Sequence, residues 1–584
     1  MLLQRLREYS TRIESTPAMY VKTAVKWIIE LDDHGNYNGI TATTSGKKND
    51  RGKEFLVPHI GRASGIKAKL LSDNGEYVLG IARDEADRKN VDKRNSAFQE
   101  LIIQAAQSMS EPAIQAVLTF YEKAAHLSIE TPEDFDPSHN VTFRVNDIFP
   151  IDLPNVQRFW AMYTGAETVG DADDIKNSAD ILMCLICGEM KPAVRRLPFK
   201  IKRIPNGQTA GNALISANSA AFTSYGLEES LIAPTCADCG EKFSKAANNL
   251  LEGETTHLTV GSLVYIFWTK EVNSFSIVTL LSNPDPTDVQ ELITSAYSGK
   301  VVATDLDTTK FYASAFSASG ARVAVRDWVE TTVAGVKHNL AHYFALQRII
   351  EANGEAPKPL SISRLAAATV PLKKDKPDIE KLTPNVPRLL LKYALEGVRA
   401  ELPMWLLFQA IKRTKAEQGV RKSHAALIKM VLQSKEPEIK IKEEYMEQLE
   451  VANRDPAYLC GRLLRVLESI QYAALKKTNT TIVGRFYGAA SSAPASVFGT
   501  LLRGAQAHLE KLRKNDEKAY IALQHRLEEV QDGLQQFPKT LKLQEQGLFA
   551  LGYYHQRAKD SADIATRKEA KANQKEEKEQ ANLF

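Results

Sequence analysis

The chain has 584 residues, 43% hydrophobic and 25% charged, a length that excludes a single core and suggests three or four domains. Its formal net charge of +4 is too small to mark a nucleic-acid binder by itself, so charge has to be read locally. Five cysteines argue for a reducing cytoplasm over a disulfide framework, and no window reaches the unbroken apolar length of a membrane span.

The amphipathic start, Met1-Leu-Leu-Gln-Arg-Leu-Arg-Glu8, lacks the apolar core of a signal peptide. Residues 1 to about 40 predict a helix, then a strand over Ala24–Leu31 closed by the turn cluster Asp32-Asp-His-Gly-Asn. A basic loop follows, with Lys47, Lys48, Arg51 and Lys53 among glycines, a pattern that either grips phosphate or faces water. Pro58 to Lys69 mixes small residues with Arg62, Ser64, Lys67 and Lys69 and has no helical period; small residues let a backbone approach a ligand while cations supply charged contacts. Leu71 to Leu79 reads as a hairpin with Asn74-Gly75 at its turn, where Asn74 either makes the turn only or reads a base edge. Residues 84 to 128 are helical by period, and 141 to 164 give short strands and loops ahead of a helix to about 182.

Cys184-Leu-Ile-Cys187 and Cys236-Ala-Asp-Cys239 then stand as two C-x-x-C pairs around a long insert. Two intervening residues let both thiolates of a pair turn toward one ion, so the four predict a closed, structural zinc site; the alternatives are unconnected thiols or two disulfides. A closed shell leaves no open coordination position, hence no reason for metal catalysis. Gly188 and Gly240 follow the second cysteines, where a tight knuckle turn favours positive φ. Inside the insert Arg195, Arg196, Lys200, Lys202 and Arg203 interleave with Leu197, Phe199 and Ile201, which predicts a strand with one basic face, suited to a phosphate backbone or to protecting a sheet edge.

A helix over 241–252 precedes strands at Leu258–Trp268 and Phe275–Leu281, a helix from Pro284 to Lys300, and paired strands at Phe311–Phe316 and Ala321–Arg326. Asp327 starts a predicted helix to about 351. The Pro- and Lys-rich stretch 353–387 reads as a transition. Beyond it 388–434, 445–477, 494–533 and 539–563 are helix-patterned, and the mixed-charge stretch 568–580 is expected to fray. The expected class is α+β: a mixed N-terminal part carrying a four-cysteine zinc-type insert, followed by an all-α C-terminal helical bundle. The boundaries fall at 1–130, 131–352, 353–387, 388–565 and 566–584.

The chain has no phosphate-binding loop, nucleophile elbow or H-E-x-x-H. Asp305 with Asp307, and His338 with His342, are too common as patterns to carry a metal-site reading, and lone Cys460 reads as a small hydrophobe.

Six collinear blocks carry a resemblance: Asp73-Asn-Gly-Glu-Tyr-Val-Leu-Gly80; Gly211-Asn-Ala-Leu-Ile-Ser-Ala-Asn-Ser-Ala-Ala-Phe222 with Ser224-Tyr-Gly226; Val264-Tyr-Ile-Phe-Trp268; Ala321-Arg-Val-Ala-Val-Arg-Asp-Trp328; Tyr458-Leu-Cys-Gly-Arg-Leu-Leu-Arg-Val-Leu-Glu468; and Phe549-Ala-Leu-Gly-Tyr-Tyr-His-Gln-Arg557. Together they make the chain similar to the large subunit of the type I-C CRISPR Cascade, an RNA-guided DNA surveillance complex. The resemblance implies a nonenzymatic subunit that recognises the protospacer-adjacent motif in duplex DNA, aids R-loop formation and recruits a helicase-nuclease. Implied partners are CRISPR RNA, target double-stranded DNA, the backbone and handle-binding subunits, a small subunit and the helicase-nuclease, with no membrane. It favours Lys47, Lys48, Arg51, Lys53, Arg62, Ser64, Lys67, Lys69 and Asn74 as the DNA-facing surface. The C-terminal bundle resembles the small subunit, which an internal start near Met430 or Met446 would release separately. On it Arg462, Arg465, Lys476, Lys477, Arg485, Arg503, Arg513 and Lys514 are candidates for contact with the displaced strand, or a solvated helix face. Other classes remain: a metal-dependent nuclease with an unrecognised acidic site, and a zinc-stabilised scaffold without DNA contact.

Overall fold

The computed structural model describes residues 1–13, 16–43, 50–62, 65–165, 181–217, 219–272, 275–297, 308–434, 446–476 and 480–581. Internal contacts divide the chain into two units, Met1–Gly253 with Phe316–Val325, and Glu254–Ala315 with Arg326–Phe584.

In the first unit the apolar run expected as one strand is two. β1 (Tyr20–Val25) and β2 (Trp27–Leu31) meet at Lys26, and each joins a different sheet. β1 pairs antiparallel with β4 (Lys53–Pro58). β2 lies between β3 (Tyr37–Ala42), to which it is antiparallel, and β6 (Asn140–Val145), to which it is parallel. The turn cluster closes β2 onto β3 as expected, with Asp32 Oδ1 accepting the His34 and Asn36 amides. β5 (Ser72–Asn74) lines the far edge of β6.

A parallel pair needs a crossover, and the helices Arg88–Ser108 and Pro112–Glu122 lie within it. The break between them falls where Pro112 can take the first helical position but not a helix interior, so the helical stretch expected over 84–128 is divided. Phe98, Ile102, Val117 and Phe120 from these helices meet Trp27, Ile29, Val141 and Phe143 of the sheet in one buried core. Each such burial is worth about 1.5–3 kcal/mol, which makes the sheet a rigid base for the loops at its edge. The stretch 141–164, expected as strands and loops, ends in the helix Pro154–Tyr163; the helix expected after it falls on residues 166–180, outside the described residues, and residues 181–183 form β7 (Ile181–Met183), paired with β8 (Met190–Pro192).

The second unit begins with β9 (His257–Val260) and β10 (Leu263–Thr269), in a sheet of order β12-β11-β10-β9 with β11 (Lys310–Ser319) and β12 (Arg322–Thr332). Two expectations fail here. Phe275–Leu281 is no strand, because Ile277–Ser282 is helical; Asp327 does not start a helix, because β12 runs to Thr332. Thr332 Oγ1 then accepts the Gly335 amide at 3.1 Å and starts the helix Val333–Gln347. Periodicity alone cannot separate short apolar strands from helices. Within 353–387 the short helix Ile362–Ala366 buries Ile362, Leu365 and Ala366 in this unit's core.

The helices Asn385–Glu396, Met404–Glu417, Lys422–Gln433, Pro456–Leu475, Ile482–Ala490, Phe498–Asn515, Glu517–Asp532 and Leu543–Ala581 make the C-terminal bundle. The last carries through 568–580, so the expected fraying is replaced by helix. Pro456–Leu475 and Leu543–Ala581 approach backbone to backbone: a Cβ on Gly461 would lie 2.0 Å from the Phe549 carbonyl oxygen, and one on Gly552 2.1 Å from that of Tyr458. Among the described residues no helix is long and apolar enough to cross a membrane.

Candidate metal centre and basic surface

Cys184 follows β7, and the turn after it is closed by Gly188 N–H donating to Cys184 O at 2.8 Å and Cys184 N–H donating to Glu189 O at 2.9 Å. Gly188 sits at φ +77°, a left-handed conformation that glycine takes without penalty. The second pair is built differently. Cys236 caps the helix Ala237–Glu252, so Gly240 is helical and needs no positive φ; a Cβ there would come within 3.0 Å of Leu197. The two halves are joined by Val194 N–H to Thr235 O and Leu185 N–H to Pro234 O, both 2.9 Å.

This brings the four sulfur ligand atoms within 4.8 Å of one another, with Cys184, Cys236 and Cys239 buried. A tetrahedron with Zn–S bonds of about 2.3 Å has edges of about 3.8 Å, so the set fits a four-thiolate ion without rearrangement of the chain. All five cysteines are free thiols. The Cys236 amide donates to Cys184 Sγ at 3.4 Å, a contact that supports negative charge on sulfur. Hydrogen bonding from Cys239 holds the Cys236 thiol down to about 5, whereas that same sharing and burial push Cys239 up. Burial and the adjoining sulfurs also push Cys187 up. Thiols crowded in this way, pushed in opposite directions by one another, are what a bound cation would neutralise. Cys460, elsewhere, is buried and its thiol pushed up to about 12, in keeping with an inert packing residue.

The insert's basic stretch is not a strand. Pro198 cannot donate to a ladder, and Ile201 makes only an isolated bridge to Asn212. The alternation nonetheless appears in burial: Phe199 and Ile201 are buried while Arg195, Arg196, Lys200, Lys202 and Arg203 are exposed. Arg196 pairs with Glu229 at 2.8 Å and Arg203 with Glu252 at 3.2 Å. Lys200 and Lys202 have no ion-pair partner among the described residues.

The 58–69 segment meets this stretch directly. His59 Nε2–H donates to Pro198 O at 2.9 Å, its ring lies 4.7 Å from that of Phe199, and Gly61 approaches Pro198. Burial drops the His59 pKa to about 4, and the positive charges of Lys69, Lys202 and Lys245 push the same way. Two basic stretches, joined by a contact between residues 139 apart in sequence, therefore meet, and Lys67, Lys200 and Lys202 within them are exposed. His59 and Lys245, on the helix after Cys236, were not legible in the sequence, where neither belongs to a charge run.

The other DNA-facing candidates separate. Lys47, Lys48 and Ser64 lie outside the described residues. Arg51 and Lys53 are exposed at the start of β4, and Lys69 is half-buried with its ammonium pKa lowered by burial. Arg62 is exposed, but its guanidinium is engaged by the fold. Its guanidinium forms a bidentate pair with buried Asp73, donates to Lys67 O at 2.6 Å and stands 4.1 Å from the Tyr77 ring centroid. Asn74 is at no hairpin tip, because Ser72–Asn74 pairs with β6 and Gly75–Val78 is a helical turn. Its Oδ1 caps that turn by accepting the Tyr77 amide at 3.2 Å.

In the bundle Arg462 is only 1% exposed, bound to Gln556 at 3.1 Å and Glu529 at 2.5 Å, and is thereby removed from any displaced-strand role. Arg465 is likewise held by Glu468 at 2.6 Å and Asp560 at 3.3 Å. Lys476, Arg485, Arg503, Arg513 and Lys514 are exposed, and Lys477 lies outside the described residues. Arg503 and Lys514, three turns apart, share a helix face. His342 is buried against Tyr393 and His338 points to solvent, so the pair forms no site; Asp305 and Asp307 lie outside the described residues.

No curated protein matches this sequence. A family model described as CRISPR-associated protein (Cas_Csd1) matches residues 3–560, nearly the whole length and both units. The chain belongs to the Cas_Csd1 family of CRISPR-associated proteins.

Proposed function

We propose that the chain is the nonenzymatic large subunit of a type I-C CRISPR RNA-guided surveillance complex, reading the protospacer-adjacent motif in duplex DNA, aiding R-loop formation and recruiting the helicase-nuclease that cuts. Membership of the Cas_Csd1 family supports a type I large subunit that works with CRISPR RNA and other Cascade components. One observation carries the DNA-reading part: the 58–69 and 195–203 segments meet through His59 and Pro198, and Lys67, Lys200 and Lys202 of these two segments are exposed. Such a group suits phosphate contacts, which position a duplex while other groups read its bases. Arg51 and Lys53, and on the bundle Arg485, Arg503 and Lys514, are further contacts in this reading. Zinc at Cys184, Cys187, Cys236 and Cys239 is structural, holding the base of the insert that carries the 195–203 segment.

The test titrates duplexes with and without the motif against the protein between 50 and 200 mM salt. Lys67→Glu, Lys200→Glu and Lys202→Glu together should weaken binding on all sequences and reduce the log–log salt slope by about 3. An unchanged slope sinks the assignment of this surface. DNA cleavage by the chain alone with Mg²⁺ or Mn²⁺ would instead mean a nuclease, and zinc-loaded protein with no affinity for DNA would mean a scaffold.

A further inference from the structure

Resting on that nucleic-acid reading, we propose that the turn Ser224–Leu227 is a stacking platform on which Tyr225 holds an unpaired base of single-stranded RNA or DNA. Tyr225 is 100% exposed, so its ring contributes nothing to packing in this chain. It is also placed against its own preference. Ser224 and Leu227 exchange backbone hydrogen bonds of 3.3 and 2.9 Å, and the two residues between them, Tyr225 and Gly226, sit at φ +52° and +73°. A two-residue turn with both φ values positive favours Asn, Asp or Gly at its first position, and a bulky aromatic there is an outlier. Strain of this kind persists where the side chain serves a contact beyond the fold.

The surroundings point to nucleic acid. Residues 219–226 are all exposed and uncharged, with the hydroxyls of Ser219, Thr223 and Ser224 beside a second aromatic, Phe222, 43% exposed. The Arg322 guanidinium stands 4.6 Å from the Phe222 ring centroid, placing positive charge beside that ring. Both ends of the excursion are fastened to the basic stretch. Asn212 and Ile201 exchange backbone bonds of 2.8 and 2.9 Å at one end, and Ser230 N–H donates to Arg195 O at 3.1 Å at the other. Aromatic rings held beside cations are the arrangement by which single strands are bound without sequence preference, the base on the ring and the phosphate on the charge.

The experiment uses the full chain with fluorescein-labelled 12-nucleotide single strands, RNA in one arm and DNA in the other, read by anisotropy. Tyr225→Ala should weaken binding about 5- to 100-fold in the arm that carries the natural ligand, with the salt slope unchanged because no phosphate contact is lost. Tyr225→Phe should bind as the parent does. Strands carrying 5-iodouridine should crosslink to the peptide containing Tyr225. Because the ring is fully exposed, unaltered melting of Tyr225→Ala separates loss of stacking from loss of fold. Parent protein that binds strands equally well after Tyr225→Ala, crosslinking elsewhere, overturns the inference and leaves the nucleic-acid reading intact; parent protein that binds neither strand nor duplex overturns both. Loss of co-purifying subunits on Tyr225→Ala, with strand affinity unchanged, would make the turn a protein contact and equally refute the platform.

Discussion

Removing the Arg62 side chain should unfold an edge of the first unit rather than weaken a DNA contact. Asp73 is 1% exposed, and its carboxylate receives the bidentate Arg62 guanidinium together with the Lys69 and Asn74 amides at 3.0 and 2.9 Å. In Arg62→Ala the two amides remain but the charge loses its counter-ion. Breaking a buried pair from one side costs about 3–5 kcal/mol; the surviving amides and the partly exposed Arg62 side chain put this pair at the lower end, with the lost cation–π contact to Tyr77 included. A loss near 3 kcal/mol is expected, localised to β5 and its ladder with β6. Hydrogen exchange reads this directly: amides of 72–74 and 140–145 should exchange about 100-fold faster in Arg62→Ala. Adding Asp73→Asn removes the stranded charge and should recover part of the protection, a coupling that a DNA-contact role does not produce. Exchange unchanged within about threefold, with weakened duplex binding, would refute the brace and return Arg62 to the DNA-facing surface.

Gly461→Ala should cost about 2–3 kcal/mol in the bundle, since its Cβ has no room before the Phe549 carbonyl, and a melting temperature equal to the parent's would show that the helices separate freely. Purified protein should carry about one zinc per chain; less than about half an equivalent, with all four thiols alkylated in the native state, would remove the clamp. Below pH 6.5 the unfolded chain protonates His59, while the folded chain resists until about pH 4, so stability should be lost as pH falls through that window, by about 2 kcal/mol between pH 7 and 5. Denaturant midpoints in His59→Phe should lack that part of the acid sensitivity; an identical pH profile would count against a buried neutral imidazole. Asn74→Ala should cost about 1 kcal/mol as a lost cap and leave motif discrimination intact, and lost discrimination at parental stability would reverse that assignment.

What the sequence made legible was governed by the range of the interactions involved. The cysteine pairs could be read because metal geometry fixes spacing within each pair, and the bundle because apolar period persists over many turns. The errors fall where a local pattern admits two outcomes. Asn74-Gly75 has the composition of a hairpin turn, yet Asn is equally a cap, and the choice was made by Asp73 joining Arg62 and by β5 pairing with β6. The basic 195–203 stretch alternates correctly in burial, but Pro198 and contacts with His59 and Asn248 hold it out of a ladder. Arg462 looks in sequence like any helix-surface cation. Its burial depends on Gln556, 94 residues away, and no local pattern contains that.

The blocks that made the chain recognisable mostly hold the fold together. Tyr458-Leu-Cys-Gly461 and Phe549 to Gln556 are two sides of one helix contact: Gly461 and Gly552 admit the backbones, Tyr458 OH meets His555 Nδ1 at 2.9 Å, and Arg462 reaches Gln556. Tyr265 and Asp327, from two further blocks, meet at 2.8 Å, and Arg388 closes the group with a bidentate pair. Asp73 does the same through Arg62. These groups tolerate little substitution because each joins at least one buried polar side chain to a specific partner. The Gly211–Gly226 block divides: Asn212 is buried and bonded to Gly320 O at 2.8 Å, while Tyr225 touches nothing in its own chain. Recognition of the family and recognition of the ligand therefore rest on different residues. The first set reports which chain this is; a residue such as Tyr225, fully exposed and strained, reports what the chain meets.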